Sequence, residues 1–170
     1  VAAAKLGKKT IMIGAIGNDI FGKDLLDEIK SYGVDTTYIK QKDGPTGVAI
    51  ILKNDGDNRI VLDKGANHKI TIKDIDEALI EAERNDLLIA QYEIPYECIL
   101  HGFKVAKEKQ MTTILNTAPA EYLNEDIFKY VDYLILNQTE TATYTTIYPD
   151  DLNSAKKAYE VLQKKQIHKC

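Results

Sequence analysis

Cysteine is scarce in this sequence of 170 residues, which contains only Cys98 and Cys170. The two lie far apart along the chain, and neither has a second cysteine close by. The sequence therefore indicates neither a zinc site nor a disulfide framework. A reducing, cytoplasmic compartment is the expected location.

The sequence also lacks an excess of positive charge and long apolar runs. Lys and Arg total 22 against 26 for Asp and Glu, which gives a formal net charge of −4. This balance excludes a global positive field that would attract nucleic acid or an anionic membrane, so the partners expected are small molecules or proteins. No apolar run approaches the roughly 20 residues that a membrane span needs.

The remaining composition is that of an ordinary globular protein, with 44% hydrophobic and 28% charged residues. The length suits one domain. The chain opens without Met on Val1 and closes on Cys170, and both ends look cut. We therefore expect residues 1–170 to form one partial domain and to be a fragment of a longer protein.

Short apolar runs alternate with helical patterns along most of the chain. Strands buried on both faces are predicted at four runs: Thr10 to Ile16, Leu87 to Ala90, Thr112 to Leu115 and Tyr133 to Leu136. Helices are predicted after Asp19, Thr71, Pro95 and Asp151. Their apolar stripes are Phe21, Leu25 and Ile29; Ile75, Ala78, Leu79 and Ala82; Ile99, Phe103 and Ala106; and Leu152, Ala155, Tyr159 and Leu162. This alternation predicts an α/β fold with a mostly parallel sheet covered by helices on both faces.

One stretch breaks the alternation. Thr46 to Lys53 and Arg59 to Asp63 are strand-like, and the strong turn signal Asn54-Asp-Gly-Asp-Asn58 joins them. They therefore predict a β-hairpin outside the main sheet, as a flap or lid. We assign the inserted lid segment to residues 35–64.

Ligands of open parallel sheets bind outside the carboxyl ends of the strands. This rule selects four segments: Gly14 to Asp19, Gln91 to Glu93, Asn116 to Pro119 and Asn137 to Glu140. Their polar side chains suit a polyol or phosphate ligand. Glu93 could accept a hydrogen bond from a ligand hydroxyl, or it could pair with a neighbouring backbone group or Lys.

Two interpretations of Asn137 and Glu140 remain open. Asn-x-x-Glu before a helix is a capping-box pattern, which needs no ligand. Alternatively, the two side chains lie one turn apart on the same face and hold water around a Mg²⁺ ion that bridges nucleotide phosphates.

The remaining histidine, serine and glycine patterns do not indicate a catalytic or nucleotide-binding site. His68, His101 and His168 are scattered. Neither Ser31 nor Ser154 lies in a Gly-x-Ser-x-Gly elbow. The pair Gly14 and Gly17 fits neither a dinucleotide fingerprint nor a Walker A loop.

Seven ordered segments together resemble the ribokinase-like, or PfkB, family of carbohydrate kinases, most strongly its ribokinases. The segments are Val1-Ala-Ala-Ala-Lys-Leu-Gly7, Ile13-Gly-Ala-Ile-Gly-Asn-Asp-Ile-Phe-Gly22, Thr46-Gly-Val-Ala49, Gly65-Ala-Asn67, Gln91-Tyr-Glu93, Asn116-Thr-Ala-Pro-Ala120 and Asn137-Gln-Thr-Glu140. The resemblance implies an αβα sandwich whose β-sheet lid closes over the sugar and often joins a homodimer.

The resemblance also assigns site residues. It implies that Ala49 and Ile51 pack on the sugar from the lid and that Glu93 contacts a sugar hydroxyl. Asn137 and Glu140 match the family's Asn-x-x-Glu motif, which tunes Mg²⁺ and phosphate binding, with Glu140 acting on the metal through water. Asn116 lies in a stretch similar to Asn-Pro-Ala-Pro-Ala, with Thr117 in place of the first Pro.

The activity implied is transfer of the γ-phosphate of ATP to the primary hydroxyl of D-ribose, giving ribose 5-phosphate, with Mg²⁺ and K⁺ as cofactors. The catalytic Asp and the anion hole are expected beyond Cys170, so residues 1–170 alone are predicted to be inactive. The alternatives are another kinase of the family, such as a fructokinase or nucleoside kinase, and an inactive module that binds sugar or dimerises.

Overall fold

The computed structural model describes residues 1–54, 57–119 and 125–165. The chain forms two compact units, Val1–Ala78 and Leu79–Cys170, which we call the N-terminal and C-terminal units. The assignment of one domain with an inserted lid segment stays a prediction. Among the described residues, none of the helices combines the length and the apolar character that crossing a bilayer would need.

The N-terminal unit contains a short parallel sheet and a separate hairpin. Its elements in chain order are α1 (Ala2–Lys5), β1 (Gly14–Ile16), α2 (Ile20–Ser31), β2 (Ile39–Gln41), β3 (Val48–Asn54), β4 (Asp57–Asp63), a 3₁₀ helix (Gly65–Lys69) and all but the last residue of α3 (Ile72–Leu79). Strand β1 pairs in parallel with β2, and Gly14 lies opposite Ile39.

The first strand is shorter than the sequence predicts. The run Thr10 to Ile16 is regular only at Gly14–Ile16, preceded by an isolated bridge between Ile11 and Asp35. In that bridge, the backbone N–H of Asp35 donates to the carbonyl of Thr10. Both ends of the segment are therefore hydrogen-bonded to the neighbouring part of the chain, at Asp35 and at β2, but the ladder is interrupted before Gly14.

The hairpin forms as the sequence predicts. Strands β3 and β4 are antiparallel, with a register that pairs Val48 with Asp63 and Asn54 with Asp57. Among the described strands, they pair only with each other. The predicted turn residues Asp55 and Gly56 lie outside the described residues.

The C-terminal unit contains a three-stranded parallel sheet in the order β5-β6-β7. Its elements are β5 (Leu87–Gln91), α4 (Tyr96–Glu108), β6 (Thr112–Asn116), a 3₁₀ helix (Glu125–Tyr130), β7 (Tyr133–Ile135), α5 (Gln138–Thr145) and α6 (Leu152–Lys164). The strands and α-helices match those predicted for this region within one or two residues at the ends, whereas the 3₁₀ helix Glu125–Tyr130 was not predicted.

Local side-chain caps explain where the helices begin. Asp19 accepts a hydrogen bond from the N–H of Gly22 at 2.8 Å at the start of α2. Asp151 and Ser154 form a capping box on α6. Gly33, which follows α2, has a φ of +76°, a conformation that glycine adopts without steric cost.

The core of the C-terminal unit lies against one face of its sheet. Its largest buried members are Tyr92, Phe103, Leu115, Ile127 and Phe128. Leu88 and Ala90 of β5 pack against this cluster. Because side chains alternate along a strand, the intervening residues Leu87 and Ile89 point to the opposite face, where they are exposed.

The prediction that the strands are buried on both faces is therefore wrong for β5 and for β7, whose outer residues are exposed, whereas all three residues of β1 are buried. Two helical stripes are also more exposed than predicted. Phe21 and Leu25 of α2 are exposed, and Leu152 at the first position of α6 is 71% exposed. The spacing of apolar residues identifies the helices correctly, but it does not show which faces the chain itself covers.

Candidate functional site

The carboxyl ends of the three strands in the C-terminal unit meet at one edge of the sheet. The register pairs Gln91 with Asn116 and Asn116 with Ile135. The segments that follow these residues contain Glu93, Thr117 and Asn137. The residues that the strand-end rule selected in this unit therefore do lie at one edge of the sheet.

Glu93 lies in the turn between β5 and α4. The turn is fixed by the preceding residue, because Tyr92 is fully buried and its N–H donates to the carbonyl of Ala118 at 3.0 Å. The Glu93 side chain is half-buried, and within the described ranges no residue forms a hydrogen bond or ion pair with its carboxylate. A well-positioned carboxylate thus keeps its acceptor capacity for a ligand.

Asn137 and Glu140 form a complete capping box at the start of α5. The Glu140 N–H donates to Asn137 Oδ1 at 2.8 Å, and the Asn137 N–H donates to Glu140 Oε2 at 2.9 Å. The Asn137 side-chain amide also donates to Glu140 Oε1 at 2.8 Å. The capping interpretation is therefore realised, with Asn137 exposed and Glu140 only 4% exposed.

A third residue contacts this capping box from the segment that follows the neighbouring strand. Thr117, which follows β6, donates from Oγ1 to Glu140 Oε2 at 3.3 Å. Asn116, just before it, accepts the N–H of Ala118 on its side-chain oxygen at 3.1 Å. The spacing of Asn137 and Glu140 gave no indication of Thr117, because the contact spans 23 residues of sequence.

The buried phenols near this edge are not suited to act as bases. Burial raises the pKa of Tyr92, of Tyr96 and of Tyr144 above the ordinary value for tyrosine. The nearby Glu140 charge raises the pKa of Tyr144 further. All three hydroxyls therefore remain protonated near neutral pH.

The described side chains at this sheet edge do not form a protein cage for Mg²⁺. Among the described residues, no group of three or more His, Cys, Asp or Glu side chains could hold a metal ion. Mg²⁺ commonly keeps several waters and binds through one or two carboxylates plus substrate phosphates. A single carboxylate with an adjacent amide, as in Glu140 and Asn137, fits contact through water rather than a protein cage.

The remaining predicted residues, Ala49 and Ile51, lie on β3 in the N-terminal unit. Both are exposed, and both point to the same face of the hairpin because they are two residues apart in a strand. The register places Leu62 opposite Ala49 and Ile60 opposite Ile51. This face therefore presents a small apolar surface.

Sequence reasoning missed the contacts that hold the base of this hairpin. Asp19 accepts the N–H of Thr46 at 2.7 Å and the Thr46 hydroxyl at 2.6 Å. The Thr46 hydroxyl also accepts the N–H of Gly17 at 2.9 Å. A side-chain carbon at Gly17 would lie only 2.5 Å from the nitrogen of Thr46, so this close approach requires glycine.

The carboxylate of Asp19, which the strand-end rule selected as a candidate, therefore accepts hydrogen bonds from the chain itself. The Thr46 hydroxyl lowers the pKa of the Asp19 carboxyl, and the N–H groups of Thr46 and Gly22 lower it further. The segment Gly14 to Asp19 thus anchors the hairpin and caps α2.

The match to a known family covers almost all of the chain. The model of the pfkB family carbohydrate kinases matches residues 1–169. The chain belongs to this family. The resemblance inferred from the seven sequence segments is therefore confirmed.

Relatives with named activities are similar over the same range. A ribokinase of Haemophilus influenzae is 32% identical over 169 residues, which cover 98% of this chain and 55% of that protein. A deoxyribokinase of Salmonella typhi is 32% identical over 173 residues, which cover 99% of this chain and 56% of that protein. The chain spans about half the length of the relatives it matches.

Solved structures confirm the ribokinase-like α/β fold. A ribokinase from Thermotoga maritima matches with a TM-score of 0.74 and 32% identity, covering 94% of this chain and 53% of that one. An Arabidopsis thaliana ribokinase complexed with ribose and ATP matches with a TM-score of 0.78 and 23% identity, covering 96% and 54%.

Proposed function

We propose that this chain is the sugar-binding, lid-bearing part of an ATP-dependent kinase that phosphorylates the primary hydroxyl of ribose. The observation that carries the proposal is the meeting of Glu93, Asn116 and the Asn137–Glu140 box at one sheet edge in a member of the pfkB family. Similarity to ribokinases, one of them complexed with ribose and ATP, supports this substrate pair.

Glu93 is the residue proposed to bind the sugar. Its carboxylate is half-buried, lies on a fixed turn and has no partner among the described residues. A sugar hydroxyl can donate to it, and hydrogen bonds to charged groups are stronger than those between neutral groups. Ala49 and Ile51 are proposed to supply apolar contact to the sugar ring.

Asn137 and Glu140 are proposed to hold the metal and phosphate side of the reaction. When bound, Mg²⁺ would neutralise charge that develops on the phosphate oxygens. Glu140 would hold such an ion through water, and the Asn137 side-chain amide donates to the Glu140 carboxylate and keeps it in place. The base that deprotonates the sugar hydroxyl is proposed to lie outside residues 1–170, and K⁺ is a further proposed cofactor of the complete enzyme.

The hairpin is proposed to join two copies of the protein. Both of its faces are apolar: Ile51 is 56% exposed on one face, and Ile50 is 55% exposed on the other. Exposed apolar surface of this kind marks an interaction site. If the Ile51 face contacts the sugar, the face formed by Val48, Ile50 and Val61 remains for the second copy.

The proposal is tested with the complete gene product, assayed for ADP release with ATP, Mg²⁺ and each of ribose, 2-deoxyribose, fructose and adenosine. Ribose should give the highest kcat/KM. The Salmonella typhi relative makes 2-deoxyribose the second candidate. Residues 1–170 alone should show no turnover; activity there would place the base within this chain.

The dimer is tested separately by light scattering of the complete protein. The substitution Ile50→Glu should convert a dimer to a monomer, because it places a charge on the proposed interface. The control Lys53→Glu, a charge change on the opposite face of the same strand, should leave the dimer intact. A wild-type monomer would refute the assignment.

A further inference from the structure

A buried threonine links the segment after β6 to the start of α5. Thr117 has no exposed surface, and its hydroxyl donates to Oε2 of Glu140 at 3.3 Å. Its backbone N–H donates to the carbonyl of Ile135 at the end of β7, also at 3.3 Å. The residue is therefore bound to one strand end through its main chain and to α5 through its side chain.

The donors around Glu140 are unevenly divided between its two oxygens. Oε2 accepts from the Thr117 hydroxyl and from the Asn137 N–H. Oε1 accepts only from the Asn137 side-chain amide among the described residues. An ionised carboxyl has about four acceptor positions, two on each oxygen. Oε2 is therefore filled, and the remaining position is on Oε1.

We propose that Thr117 is a positioning residue for the metal and phosphate site. Its hydroxyl and the Asn137 N–H together fill Oε2 of Glu140, so that Oε1 carries the free acceptor position for a metal-bound water. This inference rests on the proposed function and adds a residue to it. Without the Thr117 hydroxyl, the second position on Oε2 opens, and the carboxylate loses the contact that distinguishes its two oxygens.

The test compares Thr117→Val, which keeps the shape but removes the hydroxyl, with Thr117→Ser, which keeps the hydroxyl. Turnover of the complete enzyme is measured against Mg²⁺ concentration. Thr117→Val should raise the half-saturating Mg²⁺ concentration about three- to tenfold, less than the loss of a direct hydrogen bond to a charged group, because the hydroxyl acts on the metal only through Glu140. Thr117→Ser should stay near wild type, and the KM for sugar should be unchanged in both.

A matched control is available in β6, the strand that precedes Thr117. Thr113 is also fully buried; its hydroxyl donates to the carbonyl of Tyr130 at 2.5 Å and lies 3.1 Å from a carboxylate oxygen, Oδ2 of Asp132. It lies near the opposite end of β6. Thr113→Val should therefore lower the melting temperature without changing the Mg²⁺ response. An equal Mg²⁺ shift in both valine variants would show a general effect of lost stability and overturn the proposal.

A second measurement does not depend on activity. The Asn137 amide should exchange with deuterium faster in Thr117→Val than in wild type or Thr117→Ser, because its acceptor is less firmly held. Unchanged exchange together with an unchanged Mg²⁺ response, in a wild type that turns over sugar, overturns the role of Thr117 and leaves the proposed function standing. A wild type without turnover overturns both.

Discussion

Two carboxylates at the same sheet edge differ in how far the chain itself occupies them. Glu93 has no partner among the described residues, whereas Glu140 accepts three hydrogen bonds and is almost completely buried. Both follow parallel strands and both were selected by the same rule. Position at a strand end therefore identifies candidate residues, while the number of hydrogen bonds from the chain itself indicates whether a carboxylate is directly available to a ligand.

The largest expected effect is at Glu93. Glu93→Gln keeps the size of the side chain and removes its charge, which weakens a hydrogen bond from a sugar hydroxyl by about 1.5–3 kcal/mol. The kcat/KM for sugar should fall roughly ten- to a hundredfold. Steady-state kinetics of the complete enzyme measure this, with Glu97→Gln, an exposed acid in the first turn of α4, as the control. An unchanged kcat/KM would remove Glu93 from the site.

A smaller, two-part effect is expected at Glu140. Glu140→Gln should lower the free energy of unfolding by about 1 kcal/mol, as for loss of a helix cap. It should also raise the Mg²⁺ concentration needed for half-maximal turnover. Denaturant unfolding and a Mg²⁺ titration measure the two parts.

The control for Glu140 is the second capping box of the same unit. Ser154→Ala removes the corresponding side chain at the start of α6 and should cost similar stability with no change in Mg²⁺ response. If the two variants behave alike in both measurements, Glu140 is a cap and nothing more.

The effect expected last in size concerns Asp19, a third strand-end carboxylate, which accepts three hydrogen bonds from the chain itself. Its pKa is lower in the folded chain than the ordinary 3.8, chiefly because the Thr46 hydroxyl donates to it. A lowered folded pKa gives stability that is present above pH 3.8 and is lost as the pH falls through the folded pKa. The stability difference between wild type and Asp19→Asn should therefore shrink in acid.

The comparison for Asp19 is made by urea unfolding at neutral pH and at pH values below 3.8. Thr46→Val should move the acid loss of stability to higher pH, since it removes the largest cause of the shift. Thr46→Ser should retain the wild-type profile. A pH profile of Asp19→Asn that is identical to wild type would contradict the assignment.

Much of the local structure could be predicted from the sequence because it depends on neighbouring residues. The Asn137–Glu140 and Asp151 helix starts, the turn at Gly33 and the hairpin around Asn54 all follow from contacts within a few positions. Candidate site residues could be found in the same way, because strand ends are local features. Whether Glu140 caps a helix or also serves a ligand could not be decided, since both uses need the same spacing.

The sequence alone was enough to predict the α/β class, most of the strands and helices, the hairpin and the family. Tertiary structure alone decided that Asp19 is bound to Thr46, that Glu140 is bound to Thr117, and that Leu87 and Ile89 face outward. The physical reason is the same in each case. These contacts and exposures depend on how segments distant in sequence pack together. The periodicity of apolar residues within one segment does not show which distant residues it will contact.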